Sequence, residues 1–377
     1  MKELNIATTL IAKRREKEIT QDELAAYIGV TKASVSKWER GQSYPDITFL
    51  PQLAAYFNMS IDDLIGYAPQ MTDEDIKKLY HRLATDFANK PFEEVMTECT
   101  HIVKKYYSCF PLLLQMALLF ANHHMLALTP ERQTNILEEA VNLCHRVKIE
   151  SEDISLSKEA VSLEATCSLL LHKPHDVLQL LGDTIRPHYP DDEMIAKAYQ
   201  MIGNVKKANE AMQISMYKHL MLLISGIPPY VMLHVENEEK TDEILHRAFT
   251  LAHTYQLQHL HPHMMLQLYL AAAQVYCIQK NPEKALDMLQ NYSSICTLNF
   301  SLYNLHGDSY FDAIDDWFEE FKLGSKTVRN EETIKLSMLQ VIVENPILSM
   351  LKELPKYKAI VSSLKFKLGV NNYEKHL

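Results

Sequence analysis

The side chains whose types and spacing carry the clearest chemistry lie between positions 20 and 45. Lys32, Ala33, Ser34, Ser36, Lys37 and Arg40 cluster around Val35 and Trp38, the large apolar positions of that stretch. At about 100° per residue, Val35 and Trp38 share one side of a helix, and the basic and hydroxyl side chains project from the other. The outward side is short, polar and cationic. Such a side suits a double-stranded polyanion: ammonium and hydroxyl groups hold phosphates, and side chains near a helix N-terminus reach base edges in a major groove. Base reading falls to Lys32, Ala33 and Lys37, the Ala33 methyl suiting a thymine methyl. Gln21, Thr31, Ser34, Ser36, Arg40, Ser43 and Tyr44 would mainly hold the backbone. An exposed basic face alone is most often solvated surface, so its surroundings must decide.

A second set of polar residues points to recognition of a peptide backbone. Gln115 and Asn122, and again Gln267 and Gln274, are seven apart and so share a helix face; Gln200 could join them. His259, His261 and His263 alternate, but Pro262 interrupts any helix between them and no acidic or cysteine ligand adjoins, so no metal site is expected. Asp308, Asp312, Asp315 and Asp316 lack calcium-loop spacing and read as the wet side of a helix that buries Phe311 and Trp317. No Walker loop, Rossmann fingerprint, G-x-S-x-G or H-E-x-x-H occurs, so neither catalysis nor a cofactor is expected.

The elements that must position these residues are helices throughout. Nine glycines in 377 residues disfavour glycine-punctuated β architectures, and 47% hydrophobic content supports sizeable cores. Six scattered cysteines without a C-x-x-C pair fit reduced thiols. No signal-like start and no apolar run of spanning length is present, so the chain is expected in the cytoplasm, off the membrane. Helix signals divide residues 6–66 into five short segments. Thr20-Gln21-Asp22-Glu23 reads as a capping box, and Gly29 ends that helix. Thr31 caps the next helix, Gly41 stops it, a fourth runs from Asp46 to Phe57, and Ser60 starts a fifth that Gly66 ends.

Tyr67 to Met71, with Pro69, reads as a hinge before a cap at Thr72, dividing the chain into 1–66, a linker 67–74 and a domain 75–377. Beyond it, Pro130, Pro174, Asn204 and Pro282 mark helix starts at similar joints, and Asn345-Pro346 and Leu354-Pro355 mark two more. The stretch from Ile224 to Val235, with Gly226, Pro228 and Pro229, is expected to break its helix. Within residues 268–289, Ala271, Ala272 and Ala285 allow two antiparallel helices to approach closely, with Tyr276 and Leu289 filling the ends. That unit resembles a tetratricopeptide repeat; the uneven joints, 44 and then 30 residues apart, make the array degenerate.

Arg14, Thr20-Gln21-x-x-Leu24-Ala25, Gly29-Val30-Thr31, Val35-Ser36-x-Trp38-Glu39-x-Gly41 and Pro45 together resemble the Cro/C1-type, or xenobiotic-response-element-type, helix-turn-helix family. The resemblance implies a five-helix lambda-repressor-like bundle, pairing of Arg14 with Glu39, and a Gln21 that bonds phosphate and props the reading helix. Lys13, where relatives often carry an apolar residue, and Glu18, where many have Gly, are departures. The order of domains resembles Gram-positive peptide-sensing regulators. The whole is then all-α: a DNA-binding bundle followed by a degenerate tetratricopeptide-like α-solenoid.

Charge agrees with that division. Residues 1–45 hold eight Lys/Arg against six Asp/Glu, leaving 30 against 42 for the rest. A polyanion is met at the N-terminus and repelled elsewhere. The expected function is a transcription regulator that binds an operator as a homodimer, paired through its helical domain and responsive to a signalling peptide or other effector. The alternative is a protein-interaction scaffold.

Overall fold

Backbone hydrogen bonding in this chain is almost wholly local. The structure, a computed structural model, describes residues 6–67, 70–185 and 191–370. Those residues form 20 α-helices and four short 3-10 segments, with no strand among them. No described helix is long and apolar enough to cross a membrane.

The N-terminal bundle contains α1 (Ile6–Glu16), α2 (Gln21–Ile28), α3 (Lys32–Glu39), α4 (Leu50–Phe57) and α5 (Ile61–Ile65). Each contributes to one core, in which Leu10, Leu24, Val35, Leu53 and Leu64 are fully buried and Trp38 closes the side toward Phe49. The Thr20/Glu23 capping box forms, and Gly29 adopts the left-handed conformation that ends α2. The fourth helix starts later than its sequence signals imply. Asp46 caps a 3-10 turn at Ile47–Phe49, and the α-helix begins at Leu50, because Pro51 has no N–H to give the Ile47 carbonyl. Of the expected hinge, Ala68 and Pro69 lie outside the described residues. Gln70 and Met71 already rest on the next domain, through Ser108 and the Cys109 sulfur.

The remainder has two cores. The first is enclosed by α6 (Asp73–Asn89), α7 (Phe92–Lys105), α8 (Phe110–His123), α9 (Pro130–Glu150) and α10 (Ile154–Leu170). After α11 (Pro174–Leu181) and α12 (Asp191–Met201), the second is built by α13 (Val205–Leu233), α14 (Glu238–Thr254), α15 (Leu257–Leu260), α16 (Pro262–Ile278) and α17 (Pro282–Cys296). It continues through α18 (Asp315–Glu319), α19 (Glu331–Val343) and α20 (Pro355–Leu368). The four joints with expected helix starts behave as such: Thr129, Asn204 and Asn281 cap the helices after them, and Pro174 opens α11. Ala271, Ala272 and Ala285 are buried between α16 and α17, with Tyr276 and Leu289. All six cysteines are free thiols in the cores.

Two expectations are corrected. The helix does not break at Pro228 and Pro229: α13 runs through both for 29 residues. Each proline forfeits a backbone hydrogen bond, but buried Ile224 and Val231 anchor the helix on both sides of the defect. The aspartates near 308–316 are not the wet face of a helix burying Phe311. Phe311 is buried within a turn, and α18 begins only at Asp315. Asp308 Oδ1 accepts from the Tyr310 and Phe311 amides, and Asp315 Oδ1 from the Gly307 amide, so these carboxylates build the turn. The buried Gln213 of α13 pins it, donating to Asp312 Oδ1 at 2.7 Å and accepting from the Ala313 amide at 2.9 Å.

The segment between α18 and α19 crosses back to the first core. Leu323 is buried there, its carbonyl is 3.0 Å from His81 Nε2, and Val328 packs beside it. The strap thereby closes the first core with residues from the far end of the chain.

Candidate nucleic-acid interface

The turn between α2 and α3 is fixed by local chemistry. Gly29 takes φ 80°, and Thr31 caps α3 by accepting from the Ser34 amide. Its hydroxyl is also 3.0 Å from Ser34 Oγ. Val35 and Trp38 turn inward while Lys32, Ala33, Lys37 and Arg40 stay exposed, with Ser34 and Ser36 half-buried. Gly41 and Gln42 lie on the rim with Ser43, and Tyr44 is 54% exposed. The face is open to a duplex.

Lys32 is engaged elsewhere: its ammonium lies 2.6 Å from Asp22 Oδ2 on α2, both side chains being largely exposed. An exposed pair of this kind contributes at most about 1 kcal/mol, so phosphate or a base edge can displace it. Arg40 Nε donates to the Ser36 carbonyl at 3.1 Å, which lays the guanidinium along α3.

Behind the face, α3 is held by a polar brace. Arg14 Nε and Nη2 donate to the two Glu39 oxygens at 2.6 and 3.0 Å, and Gln21 Nε2 donates to Glu39 Oε2 at 2.8 Å. Arg14 Nη1 also donates to the Ile19 carbonyl, so one guanidinium fastens α1 to both the α2 approach and α3. Burial pushes the Glu39 carboxyl upward, but the hydrogen bonds from Arg14 and Gln21 outweigh it and hold the pKa below the usual carboxylate range. Gln21 therefore sits at the start of α2 with its amide nitrogen spent on the reading helix, leaving its oxygen for other partners.

The five amides expected to line a peptide groove are not brought together. Gln115 is 5% exposed, inside α8, with its Oε1 unpartnered among the described residues. Asn122, on the same helix face, donates to the Tyr80 hydroxyl at 3.0 Å. The seven-residue spacing is real, but that face turns inward. Gln200 is exposed on α12, and Gln274 is half-buried on α16. Asn122 and Gln267 alone of the five share a wall, that of a cavity of about 490 Å³ which also includes His261, His263 and Arg329. Sequence reasoning missed Arg329. It lies in a loop without periodicity, far along the chain from Asn122 and His261, so only the fold brings the three together. The described residues hold no cluster of metal-ligating side chains.

Residues 10–64 match the helix-turn-helix family. A 74-residue stretch is 31% identical to the HTH-type transcriptional activator BcrR of Enterococcus faecalis, over 18% of this chain and 36% of that protein. The chain thus spans about a third of the length of that curated relative. Among solved structures, the apo form of ComR from S. Thermophilus is matched over 80% of this chain and 96% of that one, at 13% identity and a TM-score of 0.24.

Proposed function

We propose, from residues 10–64 being a helix-turn-helix unit, that this chain is a sequence-specific DNA-binding transcription regulator. The observation that carries the reading is the open basic and hydroxyl face of α3, braced from behind by Arg14, Gln21 and Glu39. Residues 1–66 act as the reading unit and 75–377 as the regulatory one. In that role α3 enters the major groove. Lys32, Ala33 and Lys37 meet base edges, and Gln21, Thr31, Ser34, Ser36, Arg40, Ser43 and Tyr44 hold the phosphates.

One such face reads few base pairs, and units of this kind bind paired half-sites about 34–36 Å apart. The second copy is recruited through the helical domain. α11 buries no side chain, although its sequence is apolar. Leu178 and Leu181 there, with Leu169 before it and Met194 and Ile195 after it, are more than half exposed. Exposed apolar side chains concentrated along this stretch of the chain suit an association surface better than ordinary protein exterior. A signal taken up by the helical domain, a peptide in this reading, shifts the spacing of the two α3 helices and with it operator affinity.

Titrating the full chain onto duplexes at several salt concentrations tests DNA reading. Lys32→Ala and Lys37→Ala should each cost about 1–3 kcal/mol of preference for the best site while the far-ultraviolet spectrum is unchanged. Equal affinity for every sequence in both wild type and variants would overturn it. Sedimentation of the Leu178→Asp variant tests pairing: wild type should run as a dimer and the variant as a monomer.

A further inference from the structure

The strap that closes the first core also carries an unpaired cation into a cavity at the junction of the two cores. Its apolar wall comes from Leu266 and Leu270 of α16, Leu305, and Ile334, Met338 and Val341 of α19. About 490 Å³ is within the range of small-ligand pockets, which are likewise mostly apolar with a few convergent polar groups. In a chain of net charge −10, no Asp or Glu lines this wall, whereas Lys326 and Arg329 do.

Arg329 is held but not neutralised. Thr327 Oγ1 donates to the Arg329 carbonyl, fixing the backbone, and Nη1 donates to Ser337 Oγ at 3.2 Å and approaches the Met125 sulfur at 3.6 Å. Among the described residues no carboxylate lies within ion-pair distance of the guanidinium, and Nε and Nη2 have no hydrogen-bond partner. Arg329 is half-buried, so its charge is partly desolvated with no counter-charge beside it, and the Nε–Nη2 edge of arginine is the fork that receives a carboxylate in two parallel bonds. The other polar groups of this wall bring no negative charge; Glu74 and Glu319 line an adjoining cavity that Arg329 also borders, beyond ion-pair distance of it. Asn122 is anchored on Tyr80, and His263 lies 3.0 Å from the Gln267 amide nitrogen.

We propose that this cavity binds an apolar carboxylate, whose carboxylate pairs with the Nε–Nη2 edge of Arg329 and whose hydrocarbon body lies against α16 and α19. The same chemistry is offered by the C-terminus of a hydrophobic peptide and by a free aliphatic acid. Because Asn122 belongs to the first core and α16 and α19 to the second, an occupant would tie the halves of the domain together. The inference deepens the proposed function by naming the chemistry of the signal, and it rests on that reading only for its link to DNA.

Calorimetric titration of the full chain without DNA tests it, so a failure here is separable from a failure of operator reading. The probes are octanoate with octanol as its uncharged counterpart, and acetylated trileucine as free acid and as amide. Binding of either acid, with a loss of about 10- to 100-fold for its neutral counterpart and for Arg329→Met, supports the proposal. Octanoate alone identifies a free acid, and the peptide acid alone a peptide C-terminus. Arg329→Lys should retain part of the affinity. Without ligand, Arg329→Met should melt at or above the wild-type temperature, since it removes an uncompensated charge; a purely structural arginine would lower it. Neither acid binding at about 1 mM, or acid and neutral forms binding equally, would overturn the proposal.

Discussion

Glu18 and Arg14 show how single residues set the quality of the reading unit. Glu18 sits at φ 56°, in the left-handed region, where it ends α1. A side chain there costs about 1–2 kcal/mol relative to glycine. Glu18→Gly should therefore stabilise the bundle by about 1 kcal/mol in thermal unfolding, with no change in site preference, because the position is exposed in the turn after α1, outside the reading helix. The resemblance already marked this position as a departure; what sequence could not give was the sign of φ. Arg14→Ala should act oppositely. It strands the Glu39 carboxylate, 5% exposed at its side chain, and should cost about 3 kcal/mol in urea unfolding. The pairing was legible only through the family resemblance, since the two residues stand 25 apart in the sequence. The Lys32–Asp22 pair was not, because it depends on how α2 and α3 cross.

Helices and their caps were readable wherever the information is local, as at Thr20, Thr31, Thr72, Thr129 and Asn281, each of which caps as its neighbours imply. Elements decided by tertiary packing were not. α13 survives two prolines because its flanks are buried, and the turn at 307–315 is carboxylate-built because Gln213, about a hundred residues earlier, holds it. That turn makes a sharp prediction. A Cβ at Gly307 would lie 2.0 Å from the Phe311 carbonyl oxygen, a backbone atom that cannot swing aside. Gly307→Ala should destabilise the helical domain by about 2 kcal/mol or more, measured by denaturant unfolding, and leave the N-terminal bundle intact. The five amides are scattered for the same reason: seven-residue spacing fixes a common face and says nothing about whether that face looks outward.

The two halves of the molecule should respond differently to acid. Burial lowers His123 and His261 to about 4, so the folded helical domain keeps both neutral. An unfolded histidine takes a proton near 6.5, so this domain loses stability progressively as pH falls from about 6.5 toward about 4. In the bundle, the depressed Glu39 contributes stability above its unfolded value of about 4.3, lost only as pH falls below it. The two tryptophans, Trp38 and Trp317, report one half each. Melts of Trp38→Phe and Trp317→Phe proteins followed by fluorescence should show the Trp317 signal weakening first as pH is lowered. One common acid transition would contradict this ordering.

Closure of the first core by the strap sets an order on biosynthesis. Leu323 and Val328 complete a hydrophobic interior whose other members are all made before residue 170. A ribosome that has released α6 to α10 has therefore delivered an enclosure whose door has not yet been made. Until some 150 further residues emerge, that interior stays open to chaperones, and a message truncated near codon 300 would yield a product prone to clump however well its reading unit folds.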